Sequence, residues 1–317
     1  MLEIFFCNVG DGDAVLLREM RTGAPDYTVL VDCGRPFLEP KQGSLRKEAI
    51  YFLKARGVKR IDRMYLTHLH IDHIGGAQRI LNEIETDRLL ALYLPPEDAR
   101  WITPPFDSVD KTKNGLIQLL NIFRDVTRTA ASRWCICQRV CSGTEMLTSR
   151  LSVEAILPQE PVISLQTKVF DALYRGEPVD GDDWFRSAKQ RNVSSVMLRF
   201  TYAGRSVLLT GDRFASDWEN DTPLPCDVLK LPHHGDRKSM TEPLLRTLKP
   251  RFAVISCQSD PADIKDRPNA GIVSLLQGAV EQVFCTENKP LPTMDASTHN
   301  GVCITIEEDG TISCRTE

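Results

Sequence analysis

The sequence predicts a mixed α/β (α+β) fold built from two halves with the same layout. Three observations predict it. Short apolar, β-rich runs and amphipathic helical segments succeed one another along the 317 residues. Each half, about 1–158 and 191–317, runs strands first, then a cluster of imidazoles and carboxylates, then helices. In both halves those polar clusters sit where an apolar strand ends, so a layered sheet would carry them to one rim. No repeat is visible residue by residue. The expectation is a single domain over 1–317, its halves joined by a polar, turn-rich linker or lid at 159–190.

Composition narrows the class. Apolar content of 42% and charged content of 26% are ordinary for a soluble globular protein with a large core. No apolar run reaches the roughly 18–20 residues of a membrane span, so no membrane partner is expected. The N-terminal Met1-Leu2-Glu3-Ile4-Phe5-Phe6 has neither a basic lead nor a cleavage site. Together with ten cysteines this predicts a reducing, cytoplasmic location and free thiols. A net charge of −4 gives no global attraction to a polyanion, which would need a local basic patch. Arg56/Lys59/Arg60 and Arg124/Arg128/Arg133 are two such clusters, and solvated helix faces explain them equally well.

In the first half, Glu3–Val9 and Ala14–Leu17 read as strands around the turn Gly10-Asp11-Gly12-Asp13. Tyr27–Val31 is a buried strand ending at Asp32-Cys33-Gly34, and Asp11, Asp13 and Asp32 suit turn and strand-end chemistry. Lys47–Gly57 has helical spacing and stops at its glycine. The strand Arg63–Leu66 then runs into Thr67-His68-Leu69-His70-Ile71-Asp72-His73-Ile74-Gly75-Gly76-Ala77, which holds three of the six histidines of the chain. His68 and His70, two apart, project to one side as the strand leaves the sheet, and Asp72 and His73 follow in a turn. Gly75-Gly76 permits close backbone packing before a helix over Ala77–Ile84. Imidazole and carboxylate together are ligands for zinc, manganese or iron, and two such groups can hold two ions. Beyond lie a strand at Leu89–Leu94, an irregular Pro95–Gly115 loop carrying Trp101 and Phe106 as a substrate-facing rim, and a short helix at Ile117–Val126. Cys135, Cys137 and Cys141 lack the spacing of a zinc knuckle and read as core residues of the strand Trp134–Val140. Gly143–Leu147 and Leu151–Pro158 complete a meander.

In the second half, Asp180-Gly181-Asp182-Asp183 lacks the spaced ligands of a calcium loop and reads as solvated linker. Asn192–Phe200 returns to strand, Ser206–Asp212 is an apolar strand ending in Gly-Asp, and Cys226–Gly235 ends in Pro232-His233-His234-Gly235. One carboxylate and paired imidazoles at these strand ends would complete a two-ion site with the first motif. A helix at Glu242–Leu248, a strand at Phe252–Ser256 and a helix at Ile272–Gly278 follow. Strands at Gln282–Cys285 and Val302–Glu307 precede a hairpin turn at Asp309-Gly310. His299 reads as a turn residue.

The pattern His68-x-His70-x-Asp72-His73-x-Gly75-Gly76 resembles the signature of the metallo-β-lactamase fold. With Asn8–Ala14, Val31–Gly34, Gly211-Asp212 and Pro232–Gly235, the chain is similar to the soluble β-lactamase-like domain of the ComEC/Rec2 competence proteins. The resemblance implies a four-layer αββα sandwich with metals at the edge where the two sheets meet. It implies two divalent ions, zinc or manganese, and Asp212 as the carboxylate bridging them. The other ligands it implies are His68, His70, Asp72, His73 and one of His233 and His234. The remaining histidine of that pair would orient a phosphate or donate a proton, and Asp72 could also handle the proton of the nucleophile. Asp13 and Asp32 would support the ligands from behind. Two departures stand out. Asn192-Val193-Ser194-Ser195 replaces a third histidine usual in this superfamily, so Asn192 or water would complete the first ion, which tilts it towards manganese. Arg267-Pro268 stands where that branch shows His-Pro, and Arg267 there could contact a phosphate. His70 argues for hydrolysis, since the redox branch places a glutamate at that point.

Two ions about 3.5–4 Å apart lower the pKa of a shared water from about 15.7 towards about 7, supplying hydroxide at neutral pH. The resemblance therefore implies a phosphodiesterase or nuclease acting on nucleic acid. A small-molecule phosphodiester, ester or lactone hydrolase of the same fold, or a non-catalytic binding protein, are the alternatives. The competence proteins carry this domain beside a membrane channel, for which this sequence shows no counterpart. The expected partners are a nucleic acid or phosphodiester substrate and a protein of a defence or processing system.

Overall fold

The computed structural model describes residues 1–104, 111–221, 224–258, 266–287 and 298–317. Two sheets carry the fold. The first has eight strands, in spatial order Ile312–Thr316, Gly301–Ile306, Leu2–Cys7, Val15–Glu19, Tyr27–Val31, Arg63–Leu66, Arg88–Ala91 and Ile136–Arg139. The second has seven, in the order Gln282–Cys285, Phe252–Ile255, Val228–Lys230, Arg205–Leu209, Met197–Tyr202, Leu151–Ile156 and Gly143–Met146. A two-stranded pair, Arg60–Ile61 with Glu85–Thr86, lies beside them. In each large sheet an antiparallel part passes into a parallel part, and the parallel strands are those whose C-terminal ends carry the polar motifs.

Three hydrophobic layers fix four structural layers. Leu2–Cys7 shows why: successive side chains face opposite sides. Ile4 and Phe6 join a core containing Phe200, Val207, Val228 and Ile304, drawn from both sheets and lying between them. Phe5 and Cys7 instead join a core shared with Leu53, Ile80, Leu120, Phe123 and Phe170 of the helices covering the first sheet. A third core, with Leu208, Leu229, Leu245, Leu248 and Leu276, lies between the second sheet and the helices Glu242–Leu248 and Ala270–Gln277. This is an αββα sandwich.

Several elements differ from the sequence-based expectation. The helix expected over Ile117–Val126 runs from Lys111 to Ser132, 22 residues, because its buried stripe continues from Leu116 through Ala130. The stretch 159–190 is not a turn-rich linker. It forms the helices Glu160–Arg175 and Gly181–Lys189, each with an apolar face, and its dense charges lie on the other faces. The acidic run there has a local purpose. The Asp180 side chain accepts hydrogen bonds from the Asp182 and Asp183 amides at 2.9 and 3.1 Å and caps the second of these helices. Asp72 and His73 lie in a single helical turn, Ile71–Ile74. Of the rim loop, Pro105 and Phe106 fall outside the described residues, and Trp101 is exposed.

All ten cysteines are free thiols. Cys135 is buried, Cys137 half-buried and Cys141 exposed, so the third is not the core residue expected. Burial pushes the Cys135 thiol up to about 12 and likewise Cys226. Among the described residues no helix is long and apolar enough to cross a membrane.

Candidate metal centre

Three loops that are distant in sequence build the floor of the site by hydrogen bonding to one another. The Asp13 amide donates to the Asp72 carbonyl at 3.1 Å, Gly34 to Asp13 at 2.8 Å, Cys33 to His73 at 2.7 Å and Gly76 to Gly34 at 3.0 Å. This packing explains the glycine pair. A Cβ on Gly75 would stand 2.3 Å from Pro36 Cδ and 2.4 Å from the Ile71 carbonyl, and one on Gly76 would stand 2.2 Å from the Cys33 carbonyl. Neither glycine has a positive φ, so close approach is what these positions require.

On that floor the ligands converge. Donor atoms of His68, His70 and Asp212 lie within 4.8 Å of one another, as do those of Asp72, His73 and His234. The Asp212 carboxylate stands between the two groups. Its Oδ2 is 3.7 Å from His68 Nε2, 3.4 Å from His73 Nε2 and 3.7 Å from His234 Nε2. Of the histidine pair, His234 joins the cluster and His233 does not. His233 Nε2 is turned towards Asn192 Nδ2, 3.2 Å away, and the Arg267 guanidinium. Both histidines, with Gly235, hold left-handed backbone conformations in the Pro232–Gly235 turn, at φ +49°, +56° and +76°. For the two non-glycine residues that conformation costs roughly 1–3 kcal/mol each, and strain of this kind persists where the surroundings over-determine it.

The outer shell sets the tautomers. Asp32 accepts from the Thr67 amide and hydroxyl at 2.8 and 2.7 Å and from His73 Nδ1 at 2.7 Å, leaving His73 Nε2 directed at Asp212. The Thr67 oxygen in turn accepts from His68 Nδ1 at 3.1 Å, and the Ser256 carbonyl accepts from His234 Nδ1 at 3.1 Å. The Nδ1 of each of these imidazoles is thus engaged from behind, which turns its Nε2 inward, the nitrogen a metal would bind. The Asp212 amide donates to Ser195 Oγ at 3.1 Å, and the buried Arg213 ties the Ser195 and Ile156 carbonyls at 2.7 and 3.1 Å.

The donor set fits a pair of divalent cations. His73 Nε2, His234 Nε2, Asp212 Oδ1 and Asn192 Oδ1 are buried with no hydrogen-bond partner among the described residues. Buried polar atoms are almost always satisfied, so a set of unpartnered ones around a shared carboxylate marks a place for a cation. The titration directions agree. Burial holds His68 well below the ordinary imidazole range and brings His70 down to about 3, so both offer lone pairs at neutral pH. Burial alone would raise Asp72 and Asp212, but the surrounding imidazoles keep both well below the carboxylate range. A third donor group, Asp13 with His73 and Asp212, is also close enough to bind. There, however, the buried Lys230 ammonium bonds Asp13 Oδ2. A built-in cation already faces one oxygen of that carboxylate, while its Oδ1 has no hydrogen-bond partner among the described residues.

The structure thus brings His68, His70, Asp72, His73, Asp212 and His234 together, with Asp13 and Asp32 behind them. Asn192 and His233 stand beside the cluster. His299 is buried, its carbonyl accepting from Asn8 Nδ2 at 3.1 Å, and it is in none of the three donor groups. Lys230, Arg213 and Thr67 play supporting parts that sequence reasoning missed. The one legible signal was Lys230, a charge inside the apolar run Val228-Leu229-Lys230-Leu231.

Residues 7–124 match the family model of the metallo-beta-lactamase superfamily. That part of the chain is similar to the metallo-beta-lactamase superfamily. That match contains the first ligand motif; Asp212 and His234 come from the part of the chain beyond it. Over 301 residues, 90% of this chain, the sequence is 26% identical to ComE operon protein 3 of Bacillus subtilis and spans 32% of that protein. Among solved structures, the metallo-β-lactamase-fold protein YhfI from Bacillus subtilis aligns with a TM-score of 0.48 at 10% identity, covering 90% of this chain and 96% of that one. Zn(2+)-bound PqqB from Methylobacterium extorquens aligns with a TM-score of 0.45 at 11% identity, covering 91% and 98%. Chemically, such a cluster of imidazole and carboxylate donors suits metal-dependent hydrolysis.

Proposed function

We propose that this protein is a metal-dependent phosphodiesterase that cleaves nucleic acid, with residues 1–317 acting as one catalytic unit. The observation that carries the reading is the position of Asp212, one carboxylate shared by the groups His68/His70 and Asp72/His73/His234. Each half of the chain supplies part of each group, so neither half would form a site alone. Bound there, two zinc or manganese ions would supply Lewis acidity and a hydroxide-like nucleophile from water.

The substrate class follows from charge at the mouth. Within the ligand set, His70 and Asp72 are the less buried members, so the site opens on their side. Guanidinium groups gather around it. Arg35 and Arg191 both feel the Asp72 carboxylate, and Arg267 lies against His233. An anionic phosphodiester suits such a rim better than a neutral ester or lactone. His233 is held down at about 4, first by burial and then by Arg267. It is therefore neutral at physiological pH, its Nε2 accepts from the Arg267 guanidinium and Asn192 Nδ2, and its role is to hold those two donors at the mouth, not to carry a charge. The basic clusters of the helix faces are not part of this reading. Arg56 pairs with Glu3 and Glu317, Arg60 with Asp87, and Arg124 and Arg128 both bind the Ala99 carbonyl. A protein partner from a defence or processing system is a further proposal, on which the described surface gives no contact.

The test is cleavage of labelled single- and double-stranded DNA and RNA with manganese, zinc or EDTA. Metal-dependent cutting lost in Asp212→Asn is the expected outcome. No cutting with either ion by metal-loaded protein would reject nucleic acid and leave a small-molecule hydrolase or a binding protein.

A further inference from the structure

The third donor group, Asp13 with His73 and Asp212, is buried throughout, and each of its carboxylates keeps an Oδ1 with no hydrogen-bond partner among the described residues. Asp13 also backs both imidazoles of the Asp72/His73/His234 group. Its Oδ2 is 3.8 Å from His73 Nδ1, and its Oδ1 is 3.9 Å from His234 Nδ1. Such a place attracts a cation, and the chain supplies one. Lys230, 1% exposed, ends the strand Val228–Lys230 of the second sheet. Its ammonium bonds Asp13 Oδ2, and the Gly211 carbonyl lies 3.4 Å from the same nitrogen. Withdrawing an ammonium from water is costly, and one carboxylate with one carbonyl leaves its three donors thinly served. Neither partner depends on the other for its backbone position. The Asp13 amide and carbonyl are bonded to Asp72 and Gly34, and the Lys230 carbonyl accepts from Thr210 Oγ1 at 2.8 Å. The carboxylate would therefore keep its place without the lysine.

We propose that the Lys230 ammonium is a built-in third cation of this centre, standing between Asp13 and the Gly211 carbonyl where a free cation would otherwise bind. It thereby holds the centre at two metal ions, as a positioning residue. This rests on the metal-centre reading above. Without the lysine the place would be lined by oxygens, those of Asp13 and the Gly211 carbonyl beside Asp212, and hard cations such as manganese take oxygen ligands. A tethered ammonium fills that place at every metal concentration, so the number of ions loaded does not follow supply. It also ties the two sheets together, since Asp13 lies between strands of the first and Lys230 ends a strand of the second.

The experiment counts manganese bound per chain after dialysis of full-length wild type, Lys230→Ala, Lys230→Met and Asp13→Asn/Lys230→Ala. In parallel, Tm is followed against added methylammonium, with tetramethylammonium as the control for ionic strength. About two ions are expected in the wild type and about three in Lys230→Ala, which leaves both the space and the charge of Asp13. Lys230→Met fills the space and the double variant lacks the carboxylate, so both should stay at two. Methylammonium should raise the Tm of Lys230→Ala with concentration, by mass action, and do no more to the wild type than tetramethylammonium does. A Lys230→Ala chain unfolded in EDTA should be recovered by manganese or methylammonium, and one that neither recovers counts against the proposal. A manganese count of two in Lys230→Ala, or a Tm blind to methylammonium, overturns it and leaves Lys230 as half of a structural ion pair. So does a third ion that persists in the double variant. Neither readout needs turnover, so a wild type that cleaves no diester fails the phosphodiesterase reading alone. A wild type that binds no manganese fails the metal-centre reading, while the methylammonium response still separates a cation site from a structural pair.

Discussion

At the scale of single residues, the site depends on which charges are compensated and by what. Asp13 and Lys230 form a buried ion pair beside the ligands, with both side chains almost wholly out of water. Removing one member of such a pair leaves an unbalanced charge, which costs about 3–5 kcal/mol. Lys230→Met should therefore lower unfolding free energy by roughly that amount in urea titrations. A change under about 1 kcal/mol would show that Asp13 is satisfied in some other way. Asp32→Asn should keep the fold but weaken metal binding by about 10- to 100-fold, because it fixes the orientation of His73. A pH dependence also follows. Burial alone would lower His73 and His234, but Asp212 with Asp32, and Asp212 with Asp72 and Asp13, raise both above the ordinary imidazole range. A raised pKa means each holds a second ring proton at higher pH, and a metal must displace that proton from Nε2. Metal affinity should fall as pH falls, with proton release on binding visible in calorimetry run in two buffers. Proton-free binding from about pH 6 to 8 would contradict the assignment of these two histidines.

At the scale of elements, the short motifs were the legible part. Spacing alone placed His68 and His70 on one side of a strand end, and Gly75-Gly76 at a close approach. The helix Glu242–Leu248 and the strand Gln282–Cys285 match expectation residue for residue. What failed were elements whose pattern is diluted by charge. The helices of 160–189 carry so many polar residues that their apolar faces did not register, and Asp180-Gly181-Asp182-Asp183 looked like solvated loop when it is a helix start. Asp180→Ala should cost about 1 kcal/mol, read as a small fall in Tm. Gly76→Ala should do far more. With the Cys33 carbonyl 2.2 Å from the new methyl group, the metal loop and the Asp32 loop cannot both keep their places. Loss of metal binding together with a lowered Tm is expected, and a variant that binds metal like wild type would contradict the packing described here.

At the scale of the whole molecule, two half-sites meet because two sheets face each other. Strand-end positions in the first sheet supply His68, His70, Asp72 and His73, and those in the second supply Asp212 and His234. These residues were legible in the sequence because both motifs end apolar strands. Which of His233 and His234 would join was not, since adjacent residues in an irregular turn have no periodicity to separate them. Only the left-handed turn at Pro232–Gly235 decides that His234 faces the ligands and His233 faces Arg267. Supporting residues such as Arg213 and Thr67 were invisible for a related reason: their partners are backbone carbonyls and a distant carboxylate, which no local pattern encodes.

Everything proposed for this protein turns on one carboxylate, Asp212, joining two cation sites to each of which both halves of the chain contribute. The decisive experiment is the metal content of protein dialysed against zinc or manganese, compared between wild type and Asp212→Asn. About two ions per chain are expected in the wild type and one or none in the variant. A wild type that saturates with a single ion, or a variant that keeps both, would contradict the shared-carboxylate site.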